Sequence, residues 1–145
     1  MFRPNVRAIL LSVVVLATGA CSNDTLSSLT TPTNPQQFTD TFTGTLSKNG
    51  SFTHSFTTAS LGAVTVTLLN LQPTSTQIVG LSLGVWNGSA CSTSPSTGGS
   101  SSDTATTGSS ITLNASAAGS LCVRLYDVGF ISDTPVLYTL QVTHP

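Results

Sequence analysis

This sequence predicts an all-β fold, an antiparallel β-sandwich of about seven to eight strands. Three observations predict it. From Phe38 onward, apolar residues recur at every second position, the period of strands with one buried and one solvated face. Thr and Val fill those stretches, and β-branched side chains suit a pleated surface. Beyond residue 21 no segment carries an apolar stripe at helical spacing, so no amphipathic helix is expected.

The strands follow in order. Phe38, Phe42, Gly44 and Leu46 share one parity. Lys48-Asn49-Gly50 then reads as a turn, and Asn-Gly beside alternating strands signals a hairpin. Phe52, His54 and Phe56 alternate with Thr53, Ser55 and Thr57, and Val64, Val66 and Leu68 with Thr65, Thr67 and Leu69. Val79, Leu81, Leu83 and Val85 alternate with Gly80, Ser82, Gly84 and Trp86. Residues 92–110 (STSPSTGGSSSDTATTGSS) are low-complexity and offer almost nothing to bury. They predict a long, mobile loop. Ile111, Leu113 and Ala115 resume the pattern, and Leu121, Val123 and Leu125 alternate with Cys122, Arg124 and Tyr126. Val136, Tyr138, Leu140 and Val142 close it.

Ahead of this domain, Arg3 and Arg7 precede an uncharged run from Ala8 to Ala20. A short basic region, an apolar stretch and small residues before a cut site make a secretory signal. The run is too short for a permanent span, which needs about 20 apolar residues. Gly19 and Ala20 directly before Cys21 resemble the lipobox of bacterial lipoproteins, although Thr18 stands where Leu is usual. The resemblance implies that residues 1–20 are removed and that Cys21 carries a thioether-linked diacylglycerol and an N-acyl chain. One chain holds a protein to a membrane only marginally, at about 0.8 kcal/mol per buried CH₂, whereas two or three hold it stably. The membrane is therefore one expected partner. Ser22 follows, where lipoproteins retained at the inner membrane often carry Asp, so the expected address is the cell envelope, at the outer membrane or cell surface. Residues 21–37, rich in Ser, Thr, Asn and Gln with two prolines, read as a flexible tether. Residues 38–145 read as the single domain.

The chain from Cys21 keeps two basic residues, Lys48 and Arg124, against five aspartates and no glutamate, a formal charge of −3. Nucleic-acid binding needs clustered Lys and Arg, so it is not expected. With Cys21 lipidated, Cys91 and Cys122 remain, and two leftover cysteines in an oxidising compartment pair. They make a poor zinc set without a nearby His. Closing a loop of about 30 residues stabilises by roughly 3–4 kcal/mol in the chain-entropy model.

No catalytic constellation emerges, and no cofactor or metal is expected. A nucleophile needs a base oriented by a third group. His54 reads as a structural histidine between Phe52 and Phe56, and His144 as solvated near the terminus. Asp127 and Asp133 share one loop but read as turn formers, short of the six to eight oxygens that calcium takes. The candidate ligand contacts are Trp86, Tyr126 and Arg124. Trp86 at a strand end with Tyr126 nearby would make a sugar-stacking platform. Arg124 would pair with Asp127 or Asp103, or stack on an aromatic ring.

The order of motifs resembles the bacterial pre-peptidase C-terminal domain. It runs from Phe42-Thr43-Gly44 through an Asn-Gly turn and a His54-Ser55-Phe56 strand to Gly62-x-Val64-x-Val66-x-Leu68. It ends with Ala118-Gly119-Ser120-Leu121-Cys122-Val123-Arg124-Leu125 and Tyr138-Thr139-Leu140-Gln141-Val142. The resemblance implies a jelly-roll-like sandwich, non-catalytic, of a kind that usually accompanies secreted hydrolases; some members bind matrix polymers and some bind calcium. The acidic strand that contributes to calcium sites in some members is replaced here by Ile78-Val79-Gly80-Leu81-Ser82-Leu83, and the aromatic after Ala-Gly by Leu121-Cys122. The expected function is that of a lipid-anchored, non-catalytic envelope protein serving in surface binding or envelope structure. The alternatives are a carbohydrate-binding module, with polysaccharide as partner, and an accessory subunit of another exported protein, a hydrolase.

Overall fold

The computed structural model describes residues 36–145. The leader, Cys21 and the tether as far as residue 35 lie outside the described residues. Nine strands follow in order: β1 (Phe38–Leu46), β2 (Ser51–Thr58), β3 (Gly62–Gln72), β4 (Val79–Trp86), β5 (Cys91–Ser92), β6 (Ser100–Ala105), β7 (Ser110–Ala115), β8 (Gly119–Tyr126) and β9 (Val136–His144). Sheet A has the order β1-β9-β3-β7. Sheet B has the order β2-β8-β4, with β5 and β6 both paired to the far edge of β4. Every pairing is antiparallel.

Apart from the step from β4 through β5 to β6, each connection crosses from one sheet to the other. For the eight longer strands this is the jelly-roll order of two interleaved Greek keys. One expectation is corrected by it. The Asn49-Gly50 turn forms, with Asn49 at φ 56° and the Gly50 amide donating to the Ser47 carbonyl at 2.8 Å, but it is not a hairpin. β1 pairs with β9 and β2 with β8, so the turn is a corner between sheets. A local turn signal specifies a reversal, and the ladder partner is chosen by the rest of the chain.

The inward parity builds the core. Val64, Val66 and Leu68 of β3, Leu81 and Leu83 of β4, Val123 and Leu125 of β8, and Leu140 and Val142 of β9 are fully buried. A bulge between Leu68 and Asn70 shifts the parity of β3, so that Leu71 is again buried while Leu69 faces out. On the outer face of sheet A, Thr39, Thr143, Thr65 and Thr112 stand side by side across all four strands. Thr41, Gln141, Thr67 and Ser110 form the next row.

The outer face of sheet B is partly covered. Gly80 lies under the Tyr126 ring, and Gly84 under the backbone of Ser92 and Thr93. This is why β4 is buried on both faces along Val79–Gly84. The expected loop over 92–110 is corrected here. Ser100–Ala105 is a strand on the edge of β4, and Ala105 is fully buried. The segment has little apolar area, but the free edge of β4 offers it a row of backbone groups to satisfy.

Candidate functional site

The paired cysteines are close to a groove at one end of the sandwich. Cys91 lies beside Trp86 in the β4–β5 ladder, and Cys122 lies beside Gly84 in the β4–β8 ladder. They form the expected disulfide, with Cα atoms 5.7 Å apart, which ties residues 91–93 down over sheet B. A groove of about 680 Å³ opens at this end of the sandwich. Its apolar part is Val85, Trp86, Leu113 and Leu121; its walls are the Ser96–Gly98 turn and the connection between β7 and β8. No charged residue lines it. The volume falls in the range of small-molecule sites, about 300–1,000 Å³. A part-buried indole among hydroxyl and amide groups suits an uncharged ligand with one apolar face.

Tyr126 and Arg124 stand elsewhere. Tyr126 is opposite Gly80, six positions before Trp86 on the same strand, a run of about 20 Å at 3.4 Å per residue. The sugar platform expected from Trp86 and Tyr126 together is therefore corrected: the two rings share a sheet face but occupy opposite ends. Tyr126 lies flat over Gly80 and donates its hydroxyl proton to Asp103. Burial pushes its pKa up to about 12, helped by the Asp103 hydrogen bond and charge and opposed by Arg124. The Arg124 guanidinium sits 5.4 Å from the Tyr126 ring centroid and donates to Ser51 Oγ at 3.3 Å. Of the partners expected for Arg124, the aromatic ring is the one realised.

A second cluster fills the seam between β1 and β2, where the two sheets meet at one edge. His54 stacks on Phe42 at 4.7 Å, and its Nε2 lies 2.8 Å from the Tyr138 hydroxyl. Burial lowers the pKa of His54 and raises that of Tyr138. Phe56 lies 5.4 Å from the ring of His144. His144 is not solvated, contrary to expectation: it is 5% exposed, and its Nε2 is 3.3 Å from Asp40. As the last residue of β9 it faces inward because it shares the parity of Leu140 and Val142, in a strand that lies between β1 and β3.

Asp127 and Asp133 do not converge. Asp127 accepts backbone N–H bonds from Asn49, Gly129, Phe130 and Ile131. The slight burial of its carboxyl works upward, but these four donors outweigh it and hold the pKa below the usual value. Asp133 pairs with Lys48 at 3.1 Å on the surface. Among the described residues no three His, Cys, Asp or Glu side chains group as a metal ion would need. Gly80-Leu81-Ser82-Leu83-Gly84 has the G-x-S-x-G spacing of a nucleophile elbow, which requires a strand-to-helix turn. Here it is continuous strand. Ser82 is 3% exposed, on the sheet face opposite to His54.

The residues that the sequence reading missed are those of the groove walls, Ser96–Gly98 and Asn114–Ser120. Their signal was the clustering of small residues around Cys91 and Cys122. No protein-family model matches the chain, and no curated protein is significantly similar to it.

Proposed function

We propose that this chain is a lipid-anchored, non-catalytic protein of the bacterial cell envelope that binds an uncharged ligand at its surface. The observation that carries the binding part is the charge-free groove around Trp86. The anchoring part rests on the lipobox-like residues before Cys21, and the resemblance to the pre-peptidase C-terminal domain supports a role beside other exported proteins. The non-catalytic reading is supported by where the candidate groups go: Ser82 is buried in a strand, His54 bonds Tyr138 and His144 bonds Asp40. Intact mass of the native protein tests the anchor. A chain beginning at Cys21 and carrying acyl groups is expected, and an unmodified chain with its leader intact would overturn it.

A carbohydrate-binding module is the second reading, favoured by the same groove, since an indole flanked by hydroxyls fits a pyranose ring. Affinity electrophoresis in gels cast with neutral polysaccharides tests it. Retardation abolished by Trp86→Ala, with the melting temperature kept, is the expected result. No retardation in any gel would sink this reading and leave the anchor untouched.

A further inference from the structure

We propose that the outer face of sheet A is an ice-binding surface. This goes beyond the groove reading and uses none of its residues. The rows of Thr39, Thr143, Thr65 and Thr112 and their neighbours cross all four strands in register. Every charged side chain of the described residues lies off this face. Asp40 bonds His144, Lys48 pairs with Asp133, Asp103 and Arg124 flank Tyr126 on sheet B, and Asp127 closes its own loop. A soluble surface ordinarily carries charge on roughly a quarter to a third of its residues.

That neutrality selects the occupant. A nucleic acid, an acidic peptide or a lipid headgroup would find no counter-charge here. A sugar would find no ring to stack on, because Phe38 and Phe42 stack on His144 and His54 instead. A second copy would find little apolar area beyond Leu69 and Leu137, against the roughly 800 Å² per partner of a stable interface.

What the face does offer is a repeat. Each threonine presents one hydroxyl and one methyl, on backbone positions about 4.8 Å apart between strands and about 6.8 Å apart along a strand. These two spacings are close to the two oxygen repeats on the prism face of hexagonal ice. Water over the methyls loses orientational freedom, and the adjacent hydroxyls fix it in register by hydrogen bonds. Thr65 and Thr112 join hydroxyls at 3.2 Å, and Thr67 and Ser110 at 2.8 Å, so between β3 and β7 the hydroxyls draw closer than the backbone spacing. The bulge after Leu68 ends the regular rows on β3.

Partition of the full chain into slowly growing ice, together with thermal hysteresis, tests the proposal. The wild type should enter the ice fraction and arrest crystal growth within a measurable temperature gap. Thr65→Lys at the centre of the array and Thr143→Lys beside it should both lose incorporation. Thr53→Lys, on the outer face of sheet B, should keep it. Melting curves identify any variant that fails to fold, and either central variant alone then suffices. Exclusion of the wild type from ice would overturn the proposal. So would equal incorporation of all variants, or capture on a neutral polysaccharide that Thr65→Lys abolishes in a protein inert towards ice.

Discussion

Reducing the Cys91–Cys122 bond removes one covalent constraint and leaves both sulfurs in place, so its effect can be worked from the closed loop alone. The cysteines are 31 positions apart, and the chain-entropy relation gives about 3.7 kcal/mol at 25 °C for a loop of that size. For a body of this length that corresponds to a fall in Tm of roughly 12–18 °C. The loss should also be local in the native state. β8 and β4 stay paired from Gly80 opposite Tyr126 to Val85 opposite Leu121, whereas residues 91–93 are held by the bond and a ladder of two pairs, Val85 opposite Ser92 and Trp86 opposite Cys91. The assay is urea unfolding with and without a phosphine reductant, followed by amide hydrogen exchange of the reduced native state. Cys91→Ala with Cys122→Ala should lose somewhat more than reduction, because Cys122 is fully buried and truncation leaves a space. Coincident unfolding midpoints would refute the reasoning. So would loss of protection in the β4–β8 ladder ahead of residues 91–99.

The other predictions concern His54, Gly80 and Asp127. The folded pKa of His54 lies below 6.5, so the unfolded chain binds its proton first. Stability should be full above about pH 6.5 and fall on acidification towards the folded pKa, with a slope of at most about 1.4 kcal/mol per pH unit, lessened by the ring's partial exposure. His54→Phe should flatten urea midpoints between pH 7 and 5; an unchanged slope would place the titration elsewhere. A methyl at Gly80 would run into the Tyr126 ring, so Gly80→Ala should cost about 1–3 kcal/mol and bring the Tyr126 pKa down from about 12 in an ultraviolet titration. Unaltered titration would mean that the ring does not depend on Gly80. Asp127→Ala strands four backbone donors and should cost about 1 kcal/mol, as loss of a capping side chain does. NMR should show the Asn49 and Gly129 amides shifting, and shifts confined to residue 127 itself would contradict that role.

Alternation was enough to read the strands that build the core, because Val64-Val66-Leu68 or Leu121-Val123-Leu125 can point only one way once a single face is buried. β6 was hidden because Ala105 is its one buried apolar residue, and its reason to exist is the edge of β4, not its own composition. Gly80, Ser82 and Gly84 carried a signal that went unread: small residues at every second position mark a strand face that another part of the chain comes down upon. The separation of Trp86 from Tyr126 was beyond reach, since both lie at strand ends and only the register says which ends meet. The burial of His144 likewise depends on β9 lying inside sheet A, a long-range pairing that position in the sequence does not betray. The threonines of sheet A were visible one strand at a time, but their alignment into rows required the ladder.

Asp40 and His144 meet across 104 positions, because the opening strand pairs with the closing one along its full length. Such an arrangement has high contact order, and domains of that kind fold on the slower timescale of milliseconds to seconds. It also imposes a sequence of events. A chain emerging from a ribosome or a pore with its first strand ahead cannot complete sheet A until β9 has followed. Until then β1 has no ladder partner and the β1–β2 seam has no Tyr138 or His144. Sheet A is thereby withheld until β9 has emerged, and the domain's folding waits on its ninth strand.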